Sequence, residues 1–404
     1  MSTTISRPRA IDPLDVLGLD DDLTSDDRLI RDTVRDFVGK RVLPDIARWF
    51  EAGTFPKSMA LELGELGLLG MHLEGYGCAG ASATAYGVAC RELEAADSGL
   101  RSFVSVQGSL AMFPIHAYGS EEQKQTWLPA MARGEAIGCF GLSEWDFGSE
   151  PAGMRTVARR DGDAYILNGS KAWITNGGIA DVAIVWAHVD PDAGSPAVGN
   201  DVRGFVIPTT TRGFRTQNIE RKMSLRASVT SELIMEDCRV PASALLPGVT
   251  GMRGPLSCLT EARYGIVWGA LGAARACYEV ALAYARTRVQ WGKPIAAFQL
   301  TQEKLVNMAL ELQKGQLLAS KLGRLKDAGE LSPQHVSMGK LNNVREALAI
   351  AREARTILGA SGITLEYPVI RHMNNLESVL TYEGTSEVHT LILGQAITGH
   401  GAFA

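Results

Sequence analysis

Much that would announce a function is missing from this chain of 404 residues. Its six cysteines, Cys78, Cys90, Cys139, Cys238, Cys258 and Cys277, form no Cys-x-x-Cys pair and no close grouping with histidine. That argues against a zinc site or a redox dithiol, and the scatter suits a reducing compartment. The seven histidines include no His-Glu-x-x-His; His372 and His389 read as packing or surface residues, and no metal is expected. No G-x-G-x-x-G follows a predicted strand, so a Rossmann dinucleotide site has no support. Positive charge is not in surplus: the net charge is −5 and the pI is near 5.9. Neither nucleic acid nor an anionic membrane is therefore expected as a partner. No run of about 18 apolar residues suggests a membrane span. The stretch 1–22 lacks the apolar segment of a signal peptide and turns acidic by Asp20-Asp21-Asp22. Residues 401–404 carry no peroxisomal or prenylation tail. A soluble, cytoplasmic protein is expected.

What is present describes a globular chain able to bury a large core, with 46% hydrophobic and 21% charged residues, and its length calls for two or three domains. Thr24 and Ser25 can cap a helix in which Leu29, Ile30, Val34, Phe37, Val38 and Val42 recur at three- and four-residue spacing. Pro44 ends or bends it. Further helical stretches run over 57–69, 83–96 and 121–133. From about Cys139 to Leu246 the texture changes to short β-prone runs at 164–167, 182–186, 204–207 and 231–235. Asn168-Gly169 predicts a hairpin turn, and 190–201 is a loop rich in Gly, Pro and Asp. Such strands suggest a small sandwich or barrel. From Gly251 helices return over 256–286, 300–326, from Ser332-Pro333 to about 358, and over 386–398, with stripes that suit a bundle core and an oligomer contact. The expected fold class is α+β in three parts: an all-helical domain over 1–138, a middle β domain over 139–247 and a helical bundle over 248–404.

Glu383 lies in Thr381-Tyr382-Glu383-Gly384-Thr385-Ser386-Glu387. A loop glutamate taken alone is most often solvated. Glycine beside it lets the main chain approach a ligand, and desolvation would raise the carboxylate toward the range of a general base.

Gly75-Tyr-Gly-Cys-Ala-Gly80, Arg91-Glu-Leu-Glu94 through Ser105, Gly169-Ser-Lys-Ala-Trp-Ile-Thr-Asn176, Ala262-Arg-Tyr-Gly-Ile266 and Thr381 through Gly399 carry a specific resemblance in their order and spacing. From about residue 13 onward the chain resembles the acyl-CoA dehydrogenase family, and within it the glutaryl-CoA dehydrogenases. The resemblance implies a helical domain, a β domain and a C-terminal four-helix bundle, usually a homotetramer. It implies FAD bound non-covalently between the β domain and the bundle. Phe140, Leu142 and Ser143 match the strand at the flavin ring, Ser149 a serine near the pyrophosphate, and Trp173, Ile174 and Thr175 the second flavin-facing segment. Arg288, Gln290 and Trp291 match the segment that reaches the FAD of another subunit; Gly359, Gly362 and Thr385 match further FAD contacts.

The activity implied is α,β-dehydrogenation of an acyl-CoA: Glu383 removes the α-proton and flavin N5 accepts the β-hydride. Arg101, Ser102 and Ser105 match a pocket for the distal carboxylate of glutaryl-CoA, with Glu94 as its acidic neighbour; Tyr382 and Arg263 complete the substrate group. Glu94 and Tyr382 match the decarboxylating type, which yields crotonyl-CoA and CO2 and passes electrons to an electron-transferring flavoprotein. Arg101 and Glu94 alone would read as a surface ion pair, and Asp97-Ser98-Gly99 breaks any common helix face. Ala262 before Arg263 leaves empty the place where some relatives keep their base. Trp145, followed by Asp146, stands where the family commonly has proline after the Ser/Thr-Glu pair, Glu150 replaces the more usual aspartate, and Leu100 stands where an aromatic often precedes the arginine. A different or carrier-bound acyl group without decarboxylation, a same-fold flavin oxidase, and a catalytically silent CoA-binding relative stay open.

Overall fold

The structure is a computed structural model that describes residues 11–190 and 201–402. Positions 191–200 of the loop expected at 190–201, the start of the N-terminal stretch and the last two residues of the tail fall outside the described residues. Helix α1, Ser25–Phe37, begins in a capping box: Thr24 Oγ accepts from the Asp27 N–H, and the Asp27 carboxylate accepts from the Thr24 N–H. A wider turn over Val38–Val42 carries it on toward Pro44. Next come α2 (Ile46–Ala52), α3 (Met59–Glu65) and α4 (Ala83–Ala96). Asp97, extended at φ −165°, breaks the chain as expected, and its carboxylate accepts from the Gly99 N–H at 2.7 Å to cap α5 (Ser98–Ser105). A wide turn over Val106–Met112 leads directly into α6 (Phe113–Tyr118), followed by α7 (Glu121–Ala132).

Seven strands follow: β1 (Gly138–Gly141), β2 (Val157–Asp161), β3 (Ala164–Thr175), β4 (Val182–Asp190), β5 (Val202–Pro208), β6 (Phe214–Asn218) and β7 (Thr230–Pro241). They join in one sheet in the order β1-β4-β2-β3-β7-β6, with β5 on β4. Strands β1 and β2 pair in parallel with successive parts of β4, and β5 runs antiparallel along its other edge. The hairpin expected at Asn168-Gly169 is not there. That pair lies inside the long strand β3 at a register shift against β7, and the Asn168 side chain accepts from the Asp237 N–H across the bulge at 2.9 Å. The β2–β3 turn lies earlier, at Gly162, between the paired residues Asp161 and Ala164.

Helix α8, Arg253–Thr287, runs through the middle of the last third. A short ribbon, β8 (Val289–Gln290) with β9 (Lys293–Pro294), joins it to α9 (Gln299–Asp327); α10 (Pro333–Leu358), α11 (Val369–Thr381) and α12 (Ser386–Thr398) follow. By length and composition α8 could cross a membrane, with mean hydropathy 1.3 over an 18-residue window, but 67% of that window is buried inside the protein. Its Tyr264, Val267, Trp268 and Leu271 share one apolar cluster with Tyr86, Val88, Leu93 and Leu100 of α4 and α5. Helix α11 buries a mixed face: Val369, Leu376 and Val379 join the bundle core, while Arg371 is paired with Asp97 and the Asn375 amide donates to the same carboxylate at 2.9 Å.

Helices α4 and α8 cross at Gly272, where an added Cβ would stand 1.9 Å from the Arg91 carbonyl oxygen. Gly272→Ala is expected to destabilise the fold by about 1–3 kcal/mol or more, because backbone cannot yield as a side chain can. Gly39→Ala, at an exposed position with no atom within 4 Å, is expected to be neutral or slightly stabilising. Thermal and urea unfolding of the two variants check the contrast.

Candidate active site

The break at Asp97 lets two helices aim at one point. Glu94 sits in the last turn of α4 and Arg101 early in α5, both fully buried, with Arg101 Nε 2.6 Å from Glu94 Oε2. The pair is therefore no surface ion pair. Arg101 Nη2 donates to the Tyr382 hydroxyl, which also lies 3.2 Å from Ser102 Oγ. Burial works against the charge on Arg101, but the Glu94 carboxylate overrides it and holds the guanidinium above its ordinary range. Burial pushes the Tyr382 phenol up to about 12, so it stays a neutral donor. Arg101 Nη1, Glu94 Oε1 and Ser105 Oγ are buried and lack a hydrogen-bond partner among the described residues. Three unmet polar atoms in one place are what a polar ligand group would satisfy.

Tyr382 opens the turn between α11 and α12, and Thr385 closes it by accepting from the Val388 N–H at 3.3 Å. Between them Glu383 has φ 53° and Gly384 φ 97°. Glutamate in the left-handed region is uncommon and strained, so something must hold it. The carbonyls of Tyr382 and Gly384 each accept from Lys340 Nζ, at 2.8 and 2.7 Å, and the Glu383 carbonyl accepts from Arg263 Nε at 2.6 Å. Glu383 Oε2 is buried and without a partner. Its peptide N–H likewise has no hydrogen-bond partner among the described residues. Burial raises the carboxyl above the ordinary glutamate range, although the cations Arg101, Lys340 and Arg263 pull it back. Burial also pushes Lys340 down to about 7 and lowers Arg263. A desolvated carboxylate with a free oxygen, beside an unused N–H, can take a proton from a weak carbon acid whose oxygen gathers charge.

The structure thus brings Glu94, Arg101, Ser102, Tyr382, Glu383 and Arg263 together from three parts of the chain. The positions matched to FAD contacts are placed differently. Phe140 and Leu142 are buried, and Phe140 packs edge-on against Trp186, so from that strand only backbone and Ser143 can face outward. A second register shift in β3 places Trp173 at φ 64° and leaves it 56% exposed, while Ile174 is buried and Thr175 partly so. Trp145, one of the departures, meets it edge-on at 5.2 Å. Ser149 and Gly359 are exposed, and Gly362 is buried against the Arg355 backbone. Arg288, Gln290 and Trp291 lie on the exposed ribbon after α8; Trp291 is 87% exposed, and among the described residues its ring contact is local, to Phe298. Exposed indole faces and a forked cation with open surroundings fit a flat aromatic ring and a pyrophosphate, so these residues suit FAD.

Sequence reasoning missed Lys340. It occupies the apolar stripe Val336-Lys340-Val344-Ala347-Ala351 of α10 at helical spacing, and a lysine on such a stripe was the available signal. His389 is buried, its Nδ1 3.1 Å from Ser337 Oγ, and burial holds it neutral by pushing it down to about 3. Among the described residues no cluster of His, Cys, Asp and Glu side chains could hold a metal ion.

The family models "Acyl-CoA dehydrogenase, N-terminal domain", "middle domain" and "C-terminal domain" match residues 24–135, 139–238 and 250–398. The human mitochondrial short-chain specific acyl-CoA dehydrogenase is 36% identical over 396 residues, covering 97% of this chain and 94% of the relative. A glutaryl-CoA dehydrogenase from Mycobacterium smegmatis, solved in complex with FADH2, is 61% identical with a TM-score of 0.94, covering 98% of this chain and all of that one. Butyryl-CoA dehydrogenase from Megasphaera elsdenii is 33% identical with a TM-score of 0.88, covering 93% of this chain and 98% of that one.

Glu94→Gln is expected to cost about 3–5 kcal/mol in urea unfolding, because it strands the buried Arg101 charge. The double variant Glu94→Met with Arg101→Met is expected to recover most of that loss. Equal destabilisation by the single and the double variants would show that the pair's charge is not the issue.

Proposed function

This chain belongs to the acyl-CoA dehydrogenase family, and from that premise we propose that it converts glutaryl-CoA to crotonyl-CoA and CO2. It is an enzyme, and its cofactor is FAD. When bound, FAD supplies the acceptor for the hydride that leaves the β-carbon. Glu383 is the base in this reading: its free, desolvated oxygen takes the α-proton. Its peptide N–H donates to the thioester oxygen as charge develops there, a donor worth about 3–4 kcal/mol in a dry site.

The observation that carries the substrate assignment is Arg101, a fully buried cation with a free Nη1. At the end of a simple fatty acyl pocket that Nη1 donor would stay unmet, whereas a distal carboxylate supplies the missing acceptor. Ser102, Ser105 and Tyr382 add hydroxyls to the same end. Arg101 is already shared with Glu94 and Tyr382, so it neutralises a substrate carboxylate less fully than a free guanidinium would. That weaker hold suits a carboxylate that must depart as CO2 after dehydrogenation, when the thioester can take up the electrons of the breaking C–C bond as a dienolate. Protonation of the dienolate gives crotonyl-CoA. Likeness to the mycobacterial glutaryl-CoA dehydrogenase supports the same reading.

The 36% identity to a short-chain specific dehydrogenase supports a second reading, a non-decarboxylating enzyme for a short unbranched acyl-CoA. We also propose an electron-transferring flavoprotein as acceptor and a homotetramer in which the ribbon at Arg288, Gln290 and Trp291 reaches the FAD of a neighbouring subunit. Domain boundaries near 138/139 and 247/248 belong to the same reading. The six free thiols suit a reducing cytoplasm, where we place the protein.

Glutaryl-CoA added without oxygen is expected to bleach the flavin and release CO2, and butyryl-CoA to do so poorly; bleaching by butyryl-CoA alone would select the second reading. Arg101→Ala is expected to lower kcat/KM for glutaryl-CoA by well over about tenfold, since truncation leaves a buried charge unpaired. Glu383→Gln is expected to keep the yellow colour and lose bleaching. Glu383 must be ionised to act and its pKa lies above the ordinary value, so the reduction rate should fall with falling pH through a midpoint above about 4.3.

A further inference from the structure

The turn that carries Glu383 is held by a residue to which the proposed dehydrogenation assigns no step, Lys340. Lys340 projects from α10 with 1% exposure, and two of its three N–H donors are spent on the carbonyls that flank Glu383, at 2.8 and 2.7 Å. Arg263 of α8 takes the carbonyl between them. Three consecutive carbonyls are thus drawn toward cations of two helices, which keeps Glu383 and Gly384 at positive φ against the strain of that conformation. Loss of the Lys340 donors would leave two carbonyls unmet and let the turn relax, moving the carboxylate.

We propose that Lys340 is a positioning residue for the base, fixing where the Glu383 carboxylate sits and placing a cation beside it. The inference rests on the reading of Glu383 as that base. The groups that face the carboxylate are Arg101 from α5, Arg263 from α8, Lys340 from α10 and the adjacent Tyr382, while His389 of α12 faces the backbone of Glu383 and Gly384. Tyr382 is neutral because burial raises its phenol, and His389 is neutral because burial lowers its imidazole. Arg101, Arg263 and, below about pH 7, Lys340 therefore oppose the burial of Glu383, and removing one of these charges should move its titration upward.

The test uses the flavin-loaded protein and 3-thiaglutaryl-CoA, whose sulfur replaces the β-carbon, so that it can exchange its α-protons but has no β-hydride to give. Wild type, Lys340→Gln and Lys340→Met are compared for the affinity of this probe and for α-proton exchange with deuterated solvent across pH. Glutamine keeps two donors and removes the charge: the acid limb of exchange should move up by about one pH unit, with affinity within about twofold. Methionine also releases the carbonyls, so the plateau exchange rate should fall by about tenfold or more on top of that shift. An unmoved acid limb in Lys340→Gln overturns the proposal, as does affinity lost by the same factor as rate in both variants. Should Lys340→Met fail to fold, Lys340→Gln decides alone. No exchange by the wild type, or undiminished exchange by Glu383→Gln, would instead overturn the assignment of Glu383.

Discussion

A carboxylate withdrawn from water into the company of three cations is the constraint around which this structure is arranged. Burial of Glu383 alone would cost several kcal/mol if it stayed charged, and an isolated carboxyl would simply remain protonated. Arg101, Arg263 and Lys340 offset that cost without forming a direct ion pair that would consume its free oxygen. The result is an acid poised between two states. A fully solvated glutamate would be too weak a base, and one clamped bidentately by arginine would be weaker still. Holding the cations on three different helices, α5, α8 and α10, keeps each near the turn while none dominates it.

The same requirement explains why the α4–α8 crossing is so close. Glu94 and Arg101 must both be dry for their charges to matter, and dryness depends on helices that meet backbone to backbone at Gly272 and share the core of Trp268, Leu93 and Tyr86. Asp97 serves this arrangement twice: it caps α5, and its carboxylate receives Arg371 and Asn375 of α11. Helix α11 leads into Tyr382 and Glu383, so the cap of one charged helix also anchors the segment that carries the base. A dicarboxylyl thioester would join this network at its one spare guanidinium nitrogen. A purely aliphatic chain would leave that nitrogen unmet, which is how one fold can separate substrates that share a thioester head.

Trp145 departs from the family pattern, and the structure gives it a local account. Its ring meets Trp173 edge-on, and its Nε1 donates to Glu232 at 3.1 Å, so it covers part of an exposed indole on the β domain. Leu100 is fully buried in the α4–α5 core, where a smaller apolar group leaves the Arg101 contacts intact. Glu150 is exposed, and nothing in the structure explains its replacement of aspartate.

Local chemistry made much of this protein legible in its sequence. Thr24 and Ser332 cap helices where they were expected to, because a hydroxyl answers nearby backbone N–H groups without help from afar. The order α, β, α and the run around Glu383 were readable for the same reason: both are written in adjacent residues. The Asn168-Gly169 pair misled because a bulge and a hairpin favour the same residues, and only pairing with β7 decides between them. Helix α11 was passed over because Arg371, His372 and Asn375 interrupt its buried stripe of Val369, Leu376 and Val379, and Lys340 passed for one more helix residue. Whether Arg101 met Glu94 in solvent or in a dry core was likewise undecidable from their spacing. Burial and partnership across 281 residues, as between Arg101 and Tyr382, are properties of the folded chain. The sequence determined which groups were available; the packing of α4, α5, α8 and α10 decided which of them lost water, and with it how strongly each charge acts.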